Sequence, residues 1–472
     1  MSLLKTLKNS FYFGVIPKIS TLINIVLLPI ITPYLTPYDY GVWGIISSYS
    51  AFILAMVPLG LHMHLSNSFF EYKKWNIVWG HILGLFFISG VLASVIFIGI
   101  IMLEMTDFGY RLRLLMGVCS SMPILLFGNS LIATHLYPLL EKPKPLVFRN
   151  LIGSLCSIAA SFITIYVFRM GFWGFILGAM SNAIVTFVLF IPPLYIKESI
   201  RPTIDRNIKR VKKWVKIAAP VIPHTLGFML LSSSSRVIMS WYNVPLEDIG
   251  VYSNGYMMGD YITIVAVSLA TALGPQIQKA YRSSDFDRYR HMFYLCQIIV
   301  LSVVFCVSFW MTEIYQLLIR NTAFNDSVSV ASYICYANVL MPLYVFISNI
   351  CFIEKRTIQL LWLVFLPGAV NVALCVIFIP LYGYKVAVYS TLIAFWSQLL
   401  VPFVSHYHRK KTLIWLGCRW KLGGLFLILF VCLLLSNYLI HLCLICKIAI
   451  TTLVLITSVV YLKSKRLDKA IA

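Results

Sequence analysis

Acidic residues are scarce in this chain. Sixteen Asp and Glu stand against 38 Lys and Arg in 472 residues, and charged residues make up only 11%. A soluble domain carries about 25% charged and about 45–50% apolar residues; with 60% hydrophobic residues, this sequence is not one. The period-2 alternation that a membrane β-barrel requires is missing as well. The opening "MSLLKTLKNSFYFG" lacks a small-residue cleavage site after a short apolar core, so it reads as an uncleaved first span. The eleven cysteines are scattered, mostly in apolar runs, where Cys behaves as a small hydrophobe. Cys443 and Cys446, with His441 before them, offer too few ligands for a metal site. No cofactor is implied.

What the chain does have is apolar runs near 20 residues, each long enough to cross about 30 Å of hydrocarbon as a helix. They predict an all-α polytopic membrane protein of about fourteen spans, near 12–34, 41–65, 78–103, 114–139, 146–168, 172–196, 215–241, 249–275, 292–318, 328–352, 357–380, 384–404, 422–440 and 444–462. Positive charge favours cytoplasmic loops. With the N-terminus inside, 30 basic residues fall on the inner side, and six (Arg111, Arg113, Arg169, Arg320, Lys385, Lys447) fall outside. Both termini are then cytoplasmic. The net charge of +22 needs no nucleic acid: "KRVKKWVK" at Lys209–Lys216 reads as a cytoplasmic linker meeting anionic headgroups.

Short motifs recur in order at offsets of 206 to 214. "VIPK" at Val15–Lys18 is matched by "VIPH" at Val221–His224, and "PYDYGVW" at Pro37–Trp43 by "PLEDIGVY" at Pro245–Tyr252. "LGL" at Leu59–Leu61 answers "LGP" at Leu273–Pro275, and "EK" follows span four at Glu141–Lys142 and span ten at Glu354–Lys355. "GFWG" at Gly171–Gly174 answers "GYKV" at Gly383–Val386. Six spans is an even number, so the units have the same orientation, a parallel pseudo-two-fold repeat with the substrate path at its interface. The expected organisation is an N-lobe over 1–196, a basic cytoplasmic linker over 197–214, a C-lobe over 215–404, and two further spans with a basic tail over 405–472. Asp39, Gly41, Asp248 and Gly250 then form an outer turn used twice, Asp capping the following helix and Gly allowing close packing.

"YLTPYDYGVWGII…LGL", the "EK" after span four, and the "GFWG" and "IPLYGYKV" starts of spans six and twelve resemble the polysaccharide (O-antigen) flippase family of the multidrug/oligosaccharidyl-lipid/polysaccharide exporter superfamily. The resemblance covers nearly the whole chain. It implies a V-shaped pair of six-helix bundles that moves an undecaprenyl-diphosphate-linked oligosaccharide across the bacterial inner membrane. The lipid-linked oligosaccharide, the bilayer and other polysaccharide-assembly membrane proteins are the implied partners.

Ionisable residues within spans are functional candidates. Lys18 shares a small and polar stripe with Thr21 and Asn24, and His224 shares another with Ser232, Ser235 and Arg236. A diphosphate alone in hydrocarbon carries a penalty of order tens of kcal/mol. Lys18, His224 and Arg236 in a wet groove would offset it, Arg binding phosphate bidentately. The competing readings are snorkelling of Lys18 and Arg236 to the surfaces and an interior hydrogen-bonded His224. Asp260 is expected either as a counter-ion for Arg236 or as a site for a coupling H⁺ or Na⁺. Pro17 and Pro223 hold matching positions, so spans one and seven are expected to bend. Two rival readings are a drug/cation antiporter, which wants carboxylates in the cavity, and a membrane glycan polymerase or ligase. The outer loops carry no catalytic set for the latter.

Overall fold

The computed structural model describes residues 16–205, 207–400, 406–416, 419–438 and 444–464. His441 and Cys443 lie outside the described residues, and Pro17 and Lys18 are described in their backbone only. Among the described residues every regular element is helical, with no strand. Among the described residues, seven helices are long and apolar enough to cross a membrane. Two further pairs, Ile208–Ala218 with Ile222–Ser232 and Leu246–Ala270 with Leu273–Arg282, are bent by 48° and 51°. Several expected spans are therefore interrupted helices. The second breaks between Pro37–Met56 and His62–Glu71 at a turn where Leu59 and Gly60 take positive φ, and the seventh breaks at Ser233.

The chain divides into two compact units, Met1–Met229 and Leu230–Ala472. In the first, the long helices Trp75–Glu104, Tyr110–Leu139, Pro143–Phe162 and Trp173–Ile191 surround a core of Trp79, Phe86, Ile132, Leu136, Phe190 and Trp214. Trp79 is fully buried, and its indole N–H donates to Ser68 Oγ at 3.0 Å, so the ring brings no unmatched donor into the core.

The twice-used turn has a definite job in this unit. Asp39 sits at the third position of Pro37–Met56, and its Oδ2 accepts from Thr36 N–H at 2.8 Å and Thr36 Oγ at 2.7 Å. Thr36 Oγ accepts in return from Asp39 N–H at 3.3 Å, a reciprocal capping box. The other carboxylate oxygen, Oδ1, accepts from Phe172 N–H at 2.8 Å. "PYDYG" and "GFWG" therefore meet, tying the start of span two to the start of span six. Gly171 has φ +53°, and a Cβ there would collide with Asp39 Oδ1, so this turn requires glycine.

The second unit shows no such capped joint at the corresponding turn. The helix Leu246–Asp260 starts after Pro245 with no side-chain cap, which corrects the expected capping role of Asp248. Asp248 lies instead within electrostatic reach of Lys385 of "GYKV", and Lys385 Nζ is 3.7 Å from Asp326. Gly41 and Gly250 are both buried in their helices.

Within the second unit, the helices His406–Leu416, Arg419–Tyr438 and Leu444–Ser464 are held by polar clasps. Glu354 accepts hydrogen bonds from Tyr281, from Lys411, and from Tyr407 at 2.6 Å. Lys447 is not in an outer loop as the charge pattern suggested: it lies within Leu444–Ser464, 1% exposed, with Nζ 2.7 Å from Glu313. Trp310 donates to Thr451 at 2.9 Å and Tyr336 to Cys432 O at 2.9 Å.

Gly171→Ala should lower stability by about 1–3 kcal/mol, since it forces a Cβ into left-handed backbone and displaces a charge-assisted hydrogen bond. Thermal unfolding in detergent reads this, and a wild-type midpoint would remove the Asp39–Phe172 tie from the fold's essentials. Burial opposes ionisation of Glu354, but the donors Lys411, Tyr281 and Tyr407 outweigh it and hold the carboxyl below the ordinary range. A lowered folded-state value means that the clasp contributes fully above about pH 4.3 and loses its contribution as pH falls through that lowered value. The midpoint gap between wild type and Glu354→Gln should accordingly be level from about pH 6 to 8 and shrink below about pH 4. A gap independent of pH contradicts this.

Candidate functional site

The expected site residues divide between the two units, and each group is described within its own. In the first unit, the Lys18 side chain lies outside the described residues. Thr21, on the same helix Ile16–Ile31, is half-buried and Asn24 is exposed. His224 is half-buried in Ile222–Ser232. The adjacent Thr225 Oγ donates to Ala55 O at 3.3 Å and to Ile222 O at 2.9 Å, joining the seventh span to the second.

In the second unit, four consecutive serines, Ser232–Ser235, interrupt the helix. Serine competes with the backbone for hydrogen bonds and weakens helix interiors. The break falls at Ser233, with φ −124° and ψ −15°. Carbonyls released there would be orphans in hydrocarbon. Asn371, fully buried on Thr357–Tyr382, supplies the partner: its Nδ2 lies 3.3 Å from Leu230 O, 3.4 Å from Leu231 O, 3.0 Å from Ser234 Oγ and 3.1 Å from Ser235 Oγ. Ser235, 2% exposed, also meets Thr391 Oγ at 3.4 Å. Its hydroxyl is committed inside the unit. Ser232 is half-buried, 3.4 Å from Ser233 Oγ.

One turn beyond the break stands Arg236, half-buried, its guanidinium carbon 4.4 Å from the ring centroid of Tyr256 and 5.7 Å from that of Tyr252. Such contacts hold a cation by about 0.5–2 kcal/mol. Tyr252 is fixed in turn by a 3.1 Å hydrogen bond to Thr391. Asp260 Oδ1 accepts from Asn338 Nδ2 at 3.3 Å, and Tyr256 lies within electrostatic reach of both Asp260 and Arg236. The second unit therefore gathers a cation, a carboxylate and two tyrosines around one stretch of helix, Leu246–Asp260. Asn371, Asn338, Thr391 and Tyr256 were not singled out from the sequence, and Tyr252 entered only as the aromatic end of the repeated motif, with no role at the site. The asparagines had a signal, since each interrupts an apolar run. Tyr256 had none, because interfacial and interior tyrosines share one pattern.

Residues 6–281 match the family model described as "Polysaccharide biosynthesis protein". The chain belongs to the polysaccharide biosynthesis protein family. No curated protein matches this family member. Its fold is similar to that of a multidrug resistance MATE family transporter of the MOP superfamily in an inward-facing conformation, with TM-score 0.67 and 15% identity over 88% of this chain and 98% of that one. It is equally similar to the lipid II flippase MurJ in an inward closed conformation, with TM-score 0.67 and 15% identity over 95% and 99%. An outward-facing MATE family transporter gives TM-score 0.60 at 15% identity, over 89% and 96%. At such identities the likeness speaks for the fold alone: this family member has the fold of MOP-superfamily transporters.

Replacing Asn371 by Leu should cost about 1–3 kcal/mol, because Leu231 O, Ser234 Oγ and Ser235 Oγ lose a buried donor, while Leu230 O keeps the Ser234 hydroxyl. Thermal unfolding of the purified protein measures it. An unchanged midpoint would mean that the break is satisfied by other groups.

Proposed function

We propose that the protein is a flippase that carries an undecaprenyl-diphosphate-linked oligosaccharide, an O-antigen or related surface-polysaccharide repeat unit, from the cytoplasmic to the outer leaflet of a bacterial inner membrane. The single observation that carries this reading is the family match over residues 6–281, which ties a transporter fold to polysaccharide assembly. The likeness to a flippase of another lipid-linked substrate supports it. In this reading the chain transports and does not catalyse. Two lobes of six helices with two trailing helices, fourteen in all and both termini cytoplasmic, expose a hydrated groove to one side at a time. The lobes are those expected from the repeat, 1–196 and 215–404, with 197–214 as linker.

Lys18, His224 and Arg236 line the groove in this proposal. They offset the solvation penalty of the diphosphate, of order tens of kcal/mol when unaided. Thr21, Asn24 and Ser232 add polar surface. Asp260 either balances Arg236 or binds a coupling H⁺ or Na⁺. A coupling ion is not demanded by energetics, because an anion moving outward already gains about 2.3 kcal/mol per charge per 100 mV from an inside-negative potential.

The MATE likeness favours a second reading, export of a cationic drug by antiport. Proteoliposomes separate the two. A labelled undecaprenyl-diphosphate oligosaccharide should equilibrate between leaflets at least about tenfold more slowly with Arg236→Ala than with wild type, and Arg236→Lys should fall between, keeping charge without the bidentate fork. Efflux of a cationic dye without glycan translocation would overturn the flippase reading in favour of antiport.

A further inference from the structure

The first unit holds a second feature that the groove does not use. The stretch after Pro192–Lys197 does not run loose between helices. Thr203 N–H donates to Gly80 O at 3.1 Å, and its hydroxyl lies 3.2 Å from His81 Nδ1. A Cβ on Gly80 would collide with Arg201 O, and one on Gly84 with Thr203 O, so the two glycines form a seat for this strand of chain. The helix that follows, Ile208–Ala218, is thereby held against the unit, with Trp214 and Ala218 buried in its core.

Between this helix and the turn at 71–74 lies a cleft of about 640 Å³. Each wall is a helical stripe at i, i+3, i+4, i+7: Lys74, Ile77, Val78 and His81 on one side, Arg210, Lys213, Trp214 and Ile217 on the other. The His64 ring lies 5.7 Å from the Trp214 ring, and both residues, with Lys73, line the cleft. The lining holds Lys73, Lys74, Arg210 and Lys213 against the single carboxylate Glu71; Asp205 pairs with Arg210 Nη1 at 3.2 Å. The rim is apolar as well as basic. Ile77 and Ile217, both in the lining, are 49% and 60% exposed. Cations beside exposed isoleucines on an amphipathic helix suit the headgroup layer of a bilayer, where lipid covers the apolar part and phosphate meets the charge. A soluble phosphate would leave the isoleucines uncovered.

We infer that this cleft is a binding site for the phosphorylated headgroup of a membrane lipid. Lys74 and Lys213 reach the phosphate from opposite walls as point charges, and Arg210 supplies a planar donor set. The ligand chemistry has two sources, bulk anionic phospholipid and a polyprenyl diphosphate carrier. The inference rests on membrane location and not on translocation, so a chain that fails to move glycan still gives a binding result here, and the reverse.

Native mass spectrometry of the full-length protein in neutral detergent, titrated with undecaprenyl diphosphate, with dioleoylphosphatidylglycerol and with inorganic diphosphate, tests it. One or both lipids should bind, the tighter naming the source, and inorganic diphosphate should bind more weakly than either. Lys74→Ala with Lys213→Ala should weaken lipid binding at least about tenfold. Lys74→Arg with Lys213→Arg should retain it. Lys212→Ala with Lys216→Ala, on the same helix but outside the cleft's lining, should change it less than about twofold. Equal losses in the two alanine pairs, no loss in either, or inorganic diphosphate binding as tightly as the lipids would each overturn the site.

Discussion

A polar atom placed in hydrocarbon finds no water, so it must be matched by another atom of the same chain. That constraint explains most of the fixed polar geometry here. The serine break in the second unit is tolerable because Asn371 stands across from it, and fully buried Trp79 is tolerable because Ser68 accepts its indole proton. Lys447, almost wholly buried, is tolerable because Glu313 and the Phe309 carbonyl receive its ammonium. Removing one member of such a pair leaves the other stranded, and that penalty exceeds the net gain of making the pair.

The same constraint shapes the repeat. Asp39 turns a helix start into a joint, because one carboxylate oxygen closes the capping box while the other holds Phe172 N–H. In the second unit the turn at Asp248 has no cap, and the charge pair nearby is an exposed one, Lys385 Nζ lying 3.7 Å from Asp326. Joints of the two kinds differ in their response to salt. Exposed charges are screened beyond about 10 Å at 0.1 M ionic strength, whereas a buried carboxylate on backbone N–H groups is screened much less.

This explains what was legible in the sequence. Hydropathy gave the helical membrane class, because 20-residue apolar runs admit few other structures. The paired motifs located turns whose chemistry is local: Gly171 and Gly383 both take positive φ, whereas Asp39 caps its helix and Asp248 does not. Interruptions within spans were harder to read. Leu59–Gly60 and Ser233 break helices that hydropathy treats as continuous, since a window averages over one or two residues. Asn371 and Thr391 were missed because their partners lie more than 130 residues away, and pairing at that distance leaves no mark in a helical period. Lys447 was misassigned for a related reason: a lysine near a span end reads as a surface cation unless its buried partner is known.

The scarcity of carboxylates then acquires structural meaning. With sixteen acids for 38 bases, the acids that fix architecture are committed: Asp39 to a helix joint, Glu354 to Lys411 and the two tyrosines, Glu313 to Lys447. Most of the basic excess has no protein carboxylate to meet. Where that excess is spread over exposed surface, water and counter-ions screen it at little cost. Lys74 and Lys213 are screened in the same way, but the cleft that gathers them, with Glu71 the only acid in its lining, offers two positive charges at once to an anion that enters it. The exposed isoleucines of the rim select the form in which that anion arrives, attached to a lipid.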